Sequence, residues 1–397
     1  MKIVFVTEWY VEKMGYAENC LAKALASLNE EVHIITSNVK PYFDSPFFSK
    51  VYGDFLGKSV EETGKKKIDG YFVHRLPFLS IGQHFIKGLP LKLKQLKPQV
   101  VQTFDCRYLM TAMLGIMSPL LKYKFFTGNH TVASVYPPYY SYSQMNFRER
   151  MRIRLFHTLP GKVASLFTTK SFPATVDAAH IAEKFFGVSA KKITVDPLGV
   201  DTDFFHPFSN DTEEAKRFEL RKSWGVNKSE ILCVYTGRFT EEKNPLCLAK
   251  AVERLYLQGK PFKAVFFGEG PQKEEILAAK GCQVRPFVPF SKLSEVFWAA
   301  DVGIWPRQES ISMIDASACA LPIIISDRVL AKERVEGNGL TYRENDVESL
   351  ISQLLCMQDE SLRKRLGKFG SEKIQNKFSW KAIAKRRLSE YYDSVSK

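Results

Sequence analysis

The sequence predicts an α/β protein built from two doubly wound, Rossmann-like parallel-sheet domains facing each other across a cleft. Three observations lead there. Apolar runs of strand length alternate with helical periods, and the alternation runs through twice. Each strand–helix unit takes about 20–30 residues, the usual period of doubly wound folds. The 397 residues, 45% apolar and 25% charged, suffice for two or three buried cores and exclude disorder and coiled coil.

In chain order, residues 2–7 form a short apolar strand, 17–28 carry a helical period, and 31–36 form a second strand. Residues 100–103 and 124–127 are strands separated by an apolar helical segment, and 193–198 read as a strand running into Gly199. The polar stretch 208–228 is the expected junction. The second round starts with strand 231–236, helix 245–258 and strand 262–267, closed by Gly268-Glu269-Gly270-Pro271. Helix 273–280, strand 284–286, helix 293–300, strand 302–305, helix 312–320 and strand 322–326 follow. An amphipathic helix over 382–392 ends the chain, packing either on its own domain or back on the first. The expected domain limits are 1–205 and 206–377, with 378–397 as the terminal helix.

No apolar stretch approaches the length of a membrane span, and the opening MKIVFVTEWY suits a buried strand better than a secretory leader. Seven cysteines, never closer than 14 positions apart, exclude a CxxC pair, and their odd number argues against a disulfide framework. A reducing, cytoplasmic setting is expected. The net charge of +14 is uneven: residues 1–200 carry +11 and the remainder +3. The first half should attract an anionic partner such as a membrane surface or a phosphorylated acceptor, unless it is simply a solvated basic face. Arg148, Arg150, Arg152 and Arg154, and Lys87, Lys92, Lys94 and Lys97, stand among apolar residues that could press on anionic lipid, at the inner face of a membrane. No aromatic-interleaved basic motif of a nucleic-acid module is present.

Several chemistries fall away. Gly57-Lys58-Ser59 resembles the end of a phosphate-binding loop, but the upstream glycine, Gly53, leaves it one residue short. Gly268-x-Gly270 lacks the third glycine of a dinucleotide fingerprint, and no two histidines pair at i+3 or i+4. Asp201-x-Asp203 reads as a turn, so no metal is expected, and there is no Gly-x-Ser-x-Gly elbow. What survives is an anion site. Gly237 frees the backbone at a strand's C-terminal end, where Arg238 and Lys243 make a plausible diphosphate clamp or, equally, two exposed basic residues on a turn. After the strand ending at Trp305, a loop carries Glu309, Ser310, Ile311 and Ser312 into a helix of small residues beginning near Met313. Its free amides would suit a phosphate, and Asp315 would either accept from ribose hydroxyls or complement the helix dipole.

These motifs taken together resemble the retaining glycosyltransferases of family 4, of GT-B fold, also described as glycosyl transferases group 1. The resemblance covers nearly the whole chain. It includes Gly15 in the first loop, Asn29-Glu30-Glu31-Val32-His33, and Lys97-Pro98-Gln99-Val100-Val101. It continues through the string Pro197-Leu198-Gly199-Val200-Asp201-Thr202-Asp203-Phe204-Phe205-His206-Pro207, the Arg238-x4-Lys243 loop and the segment from Pro306 to Pro322. It implies transfer of a sugar from a nucleotide diphosphate to a lipid-linked, glycolipid or surface-polysaccharide acceptor, with no cofactor. Carried over by position, Arg238 and Lys243 hold the diphosphate, aided by the amides of Ser310, Ile311, Ser312 and Met313. Asp315 takes the place of a glutamate on the ribose, Gly15 approaches the phosphates from the first domain, and His130 lies near the transferred sugar. Phe287 and Val288 lie against the nucleobase.

The chain departs from the family in one place. Of two glutamates usually separated by seven residues, the first falls on Arg307, while Glu309 stands two residues later as its candidate substitute. The altered loop keeps two other readings open, a same-fold nucleotide-sugar epimerase or phosphorylase and a module that merely holds nucleotide.

Overall fold

The computed structural model describes residues 1–12, 15–51, 53–80 and 83–396. The chain divides into two compact units, Met1–Leu198 with Trp380–Lys397, and Gly199–Ser379. The crossings thus fall at 198/199 and 379/380, against the expected 205/206 and 377/378.

The first unit holds a seven-stranded sheet with strands β1 (Lys2–Thr7), β2 (Glu31–Ser37), β3 (Gly64–Ile68), β4 (Tyr71–Leu76), β7 (Val100–Thr103), β8 (Lys124–Asn129) and β9 (Thr168–Pro173), in the order β3-β4-β2-β1-β7-β8-β9. A hairpin, β5 (Phe78–Ser80) and β6 (His84–Ile86), lies outside it. All pairings in the large sheet are parallel except β3–β4. The two-residue turn Asp69-Gly70, both at positive φ, folds β3 back on β4 as a hairpin, and the basic segment Gly-Lys-Lys-Lys-Ile suits the solvated edge it then occupies. The central strands are buried on both faces, as parallel strands with crossover helices must be. One face packs against helix Ala17–Ser27 and the chain-terminal helix Trp380–Val395, through Leu21, Leu25, Trp380, Ile383 and Tyr391. The other packs against helices Leu89–Leu96, Leu109–Leu121 and Leu159–Phe167.

The terminal helix is held by a buried polar network. Arg387 donates through Nη2 to Asp196 at 2.6 Å and through Nη1 to Gln102 at 2.9 Å, and its guanidinium stacks 3.7 Å over the Phe172 ring. Tyr391 donates to the same Gln102 oxygen. Residues 193–198, expected as a strand, run beside β9 with the Thr194 and Asp196 amides donating to Ser171 and Pro173 carbonyls, yet form only an isolated bridge. Pro173 of β9 has no N–H to donate back to Thr194 O, so the next bridge is not made, and Asp196 is drawn to Arg386 and Arg387.

The second unit has a six-stranded, wholly parallel sheet in the order β12-β11-β10-β13-β14-β15. Its strands are β10 (Ile231–Thr236), β11 (Phe262–Phe267), β12 (Cys282–Arg285), β13 (Val302–Trp305), β14 (Ile323–Ser326) and β15 (Gly339–Tyr342). The stretch read as a junction is part of this unit. Helix Asp211–Ser223 packs on helix Leu293–Ala299, and its Arg217 and Arg221 each donate to the Asp301 carboxylate at 2.8 Å. The Leu232 amide of β10 completes that carboxylate's bonding, so the helix is tied to the middle of the sheet.

Candidate functional site

In the second unit the strand order reverses between β10 and β13. Loops leaving the C-terminal ends of two such strands diverge, and the crevice between them is where open α/β sheets bind ligands. Arg238 and Lys243 follow β10, and the segment from Glu309 to Met313 follows β13, so the chain delivers both cations and this segment, called the donor loop after the role the resemblance implies for it, to one switch point.

The loop after β10 is laced to the loop after β11. The Gly237 amide donates to Phe267 O at 3.0 Å, the Phe239 amide to Glu269 O at 2.9 Å, and the Gln272 amide to Phe239 O at 3.0 Å. This closeness demands glycine. Gly268 and Gly270 have φ of 147° and 152°, and a Cβ on them would come within 2.0 Å of Gly237 O and 2.6 Å of Phe239 O. The Gly-x-Gly motif that fails as a dinucleotide fingerprint therefore serves as a brace for the cation loop. Tyr235 adds to it by donating its hydroxyl to Arg238 O at 2.8 Å.

The braced backbone leaves the Arg238 side chain exposed, with no hydrogen-bond or ion-pair partner among the described residues. Lys243 differs. Its Nζ donates to Glu309 O at 2.6 Å, bridging the loops that follow β10 and β13. Burial holds its ammonium down to about 8; the Glu309 charge raises it, and Arg238 and Arg334 lower it. Glu309 itself presents a carboxylate oxygen, Oε2, that is buried and has no hydrogen-bond partner in the structure. A buried acceptor without a partner is costly unless a ligand donor meets it.

The donor loop is tethered from three further sides. Arg334 donates to Ser310 O at 3.0 Å, Arg307 to Glu241 O at 3.0 Å, and Tyr342 to Pro306 O at 2.5 Å. Arg307 also faces the Glu344 carboxylate at 3.4 Å, so the cation standing where the family has a glutamate is partly neutralised. The four amides are not equivalent. The Ser312 amide donates to Ser310 Oγ and the Met313 amide to Ser310 O, both at 3.3 Å, which turns these two into the helix start. The Ser310 and Ile311 amides make no such bond among the described residues. The helix, Ser312–Ala318, is two residues shorter than expected because Ala320 turns to a φ of 58°.

Asp315 is 5% exposed, and burial pushes its carboxyl well above the usual range, Arg334 opposing and Asp201 adding. Phe287 is exposed and Val288 half-buried in the segment after β12. Gly15 and His130 belong to the first unit: Gly15 is half-buried just before helix Ala17–Ser27, and His130 follows β8 with its ring 5.9 Å from that of Phe104. Crowding by protein and the charge of Arg387 hold the His130 imidazole below its ordinary value, while its side chain keeps access to water.

Two groups of residues escaped the sequence reading. Arg334 is a buried cation contacting the donor loop, and nothing in Lys332-Glu333-Arg334 distinguishes it from a solvated charge run. The first unit also reverses its strand order, between β1 and β7, and there it places Glu8 and Asp105. Burial, then the Asp105 charge, pushes the Glu8 carboxyl up to about 7 against the pull of Arg107. His84 Nδ1 lies 3.5 Å from it. The strand-end positions of these carboxylates were the available signal, at the close of β1 and β7.

Comparison with known proteins fits this architecture. The family description "Glycosyltransferase Family 4" matches residues 20–204, and "Glycosyl transferases group 1" matches residues 230–360. The two matches together span most of the chain, which belongs to this group of GT-B glycosyltransferases. A Bacillus subtilis protein named for a glycosyltransferase role in teichuronic acid biosynthesis is 35% identical over 134 residues, 33% of this chain and 32% of its own length. The UDP-Gal:alpha-D-GlcNAc-diphosphoundecaprenol alpha-1,3-galactosyltransferase of Escherichia coli is 24% identical over 58% of this chain and 62% of its own. The chain thus spans 32% and 62% of the lengths of these two relatives. An Anabaena protein solved in complex with UDP superimposes with a TM-score of 0.70 at 14% identity, covering 99% of this chain and 100% of that one, a likeness of fold.

Proposed function

We propose that the protein is a retaining, metal-independent hexosyltransferase that moves a sugar from a nucleotide-diphosphate donor to a lipid-linked, glycolipid or surface-polysaccharide acceptor. The observation that carries this reading is the pairing, at one switch point, of Arg238 with a Lys243 that is already bonded to the donor loop. Breaking the sugar–phosphate bond builds negative charge on the departing diphosphate. Arg238, Lys243 and the open amides of Ser310 and Ile311 oppose that charge from a braced backbone, so little reorganisation is needed as it develops. A fixed guanidinium and ammonium supply what a divalent ion would otherwise supply.

Glu309 Oε2 takes a hydroxyl of the sugar, giving its unpaired oxygen a donor and filling the place of the family's first glutamate. Asp315 meets the ribose, with Phe287 and Val288 beside the base. The first unit takes the acceptor and supplies Gly15 and a neutral His130. Retention follows from attack on the face the leaving group departs, a donor phosphate oxygen taking the acceptor proton. The names of the two relatives speak of teichuronic acid biosynthesis and of a diphosphoundecaprenol acceptor, which supports placing the reaction at the cytoplasmic face of a membrane, with the protein peripheral to it.

The test is transfer. The chain, incubated with a panel of UDP-, GDP- and ADP-sugars and undecaprenol-diphosphate-linked acceptors in the presence of a chelator, should glycosylate an acceptor with the donor's anomeric configuration kept. Donor hydrolysis or isomerisation alone, with no acceptor product, would overturn it.

A further inference from the structure

Between residues 106 and 176 the chain carries nine Lys or Arg and a single acid, Glu149. The fold gathers much of this stretch into two adjacent helical pieces of the first unit. One is helix Leu109–Leu121, which contains no charged residue. The other is the continuous run of Phe147–Ile153, the wider turn Arg154–Thr158, and Leu159–Phe167. They cross closely, so that a Cβ on Gly115 would sit 3.4 Å from Ala164 Cα. Their inner sides join the sheet core, yet their outer sides are not polar. Leu120 and Leu166 are 76% and 75% exposed, and Ile116, Leu155, Phe156 and Leu159 are each about half exposed. Large apolar side chains left exposed together on two crossing helical pieces mark an interaction surface.

The charges around it are arranged unusually. Lys122, Arg148, Arg152, Arg154 and Lys162 are all exposed, and none has a carboxylate partner among the described residues. The one acid of the stretch is consumed locally, since Glu149 accepts from the Asn146 amide in a capping box. Arg150 is the exception among the arginines: it donates to the Met145 and Ser143 carbonyls and is spent on the loop. Pairing two copies of this surface would set cations against cations. A bilayer of anionic lipid meets both demands, taking the leucines into the acyl boundary and the cations at the headgroups.

We infer that the exposed faces of helices Leu109–Leu121 and Leu159–Phe167, with Lys122, Arg148, Arg152, Arg154 and Lys162, dock the protein on an anionic membrane. The inference rests on the proposed lipid-borne acceptor for its purpose and goes beyond it in naming the surface. Of the two basic stretches expected from the sequence, the arginine stretch lies on this surface; the strip does not include the lysines of helix Leu89–Leu96.

The full chain is mixed with vesicles of phosphatidylcholine alone or with 30% phosphatidylglycerol, and bound protein is measured by flotation. Binding should require phosphatidylglycerol and weaken with salt. Leu120→Ser with Leu166→Ser, and separately Arg152→Gln with Arg154→Gln, should each reduce partitioning by tenfold or more, since each cation near an anionic leaflet contributes roughly fivefold. These side chains are exposed, so melting temperature and UDP binding at the second unit should not move. No binding to anionic vesicles, or equal binding by both variants, overturns the inference while intact UDP binding leaves the transferase reading standing. A concentration-dependent dimer dissolved by the leucine variant would overturn it in favour of self-association.

Discussion

Titrating Lys243 tests the diphosphate clamp without removing any atom. Burial, the largest influence on its ammonium, holds it down to about 8. A bound diphosphate adds negative charge against the ammonium and drives its value upward, so the donor binds the protonated form preferentially. By linkage, affinity should be flat below about 7 and fall as pH rises through 8, by about tenfold between pH 7 and pH 9. A nucleotide sugar such as UDP-glucose is a suitable probe, because its diphosphate diester does not titrate in this window. Calorimetry across the range should give that slope for the wild type. Lys243→Ala should lose roughly 10–100-fold in affinity at pH 7, the range for a hydrogen bond to a charged group, and its remaining binding should be independent of pH. A slope that persists in Lys243→Ala, or a wild type with no slope, would rule out Lys243 as the titrating diphosphate ligand.

Other outcomes follow from the same geometry. Gly270→Ala places a Cβ 2.6 Å from Phe239 O at a left-handed backbone position, so it should cost about 2 kcal/mol or more and weaken UDP binding by shifting the Arg238 loop, read by urea denaturation and calorimetry. Arg387→Met strands part of the Asp196 carboxylate, though Arg386 still reaches it at 2.9 Å; a loss of about 3 kcal/mol should appear as amide exchange on the order of 10²-fold faster in helix Trp380–Val395. His33 and His74 share a 2.9 Å hydrogen bond, and burial holds both imidazoles low, His74 at about 4. The folded state then binds fewer protons than the unfolded one between about 6.5 and 4, so stability is present above 6.5 and lost as pH falls through that window. His74→Gln should flatten the acid limb of a pH–melting curve. Glu309→Gln should lower turnover more than UDP affinity, because the proposed partner of Glu309 is a sugar hydroxyl and not the phosphates; equal losses in both would contradict that role.

Much of the fold is readable in the sequence because parallel strands buried on both faces appear as short, wholly apolar runs, as in residues 231–236 and 302–305. Strands with one wet face or at an edge do not carry that mark. The basic β3, the threonine-led β9 and the glycine-led β15 carry no such run, and the sequence reading assigns them no element. Arg217 and Arg221 made their helix look like a solvated linker, and only the position of Asp301 on the sheet shows that they face inward. At the site, Arg238 and Lys243 could be found because a glycine-ended strand predicts where a ligand loop begins. Arg334 could not, since its contact with Ser310 joins residues 24 apart in sequence. The sequence also treats the amides of residues 310–313 as one set, whereas the short helix spends two of them on its own first turn.

In the proposed reaction a guanidinium and an ammonium at the β10–β13 switch point hold the donor diphosphate without a divalent ion. Calorimetric titration of UDP into wild type, Arg238→Ala and Lys243→Ala, each with excess chelator, tests it most directly. Chelator should leave wild-type binding unchanged, and each substitution should weaken it by one to two orders of magnitude. Binding that vanishes with the chelator, or survives intact without Arg238 and Lys243, would contradict the account.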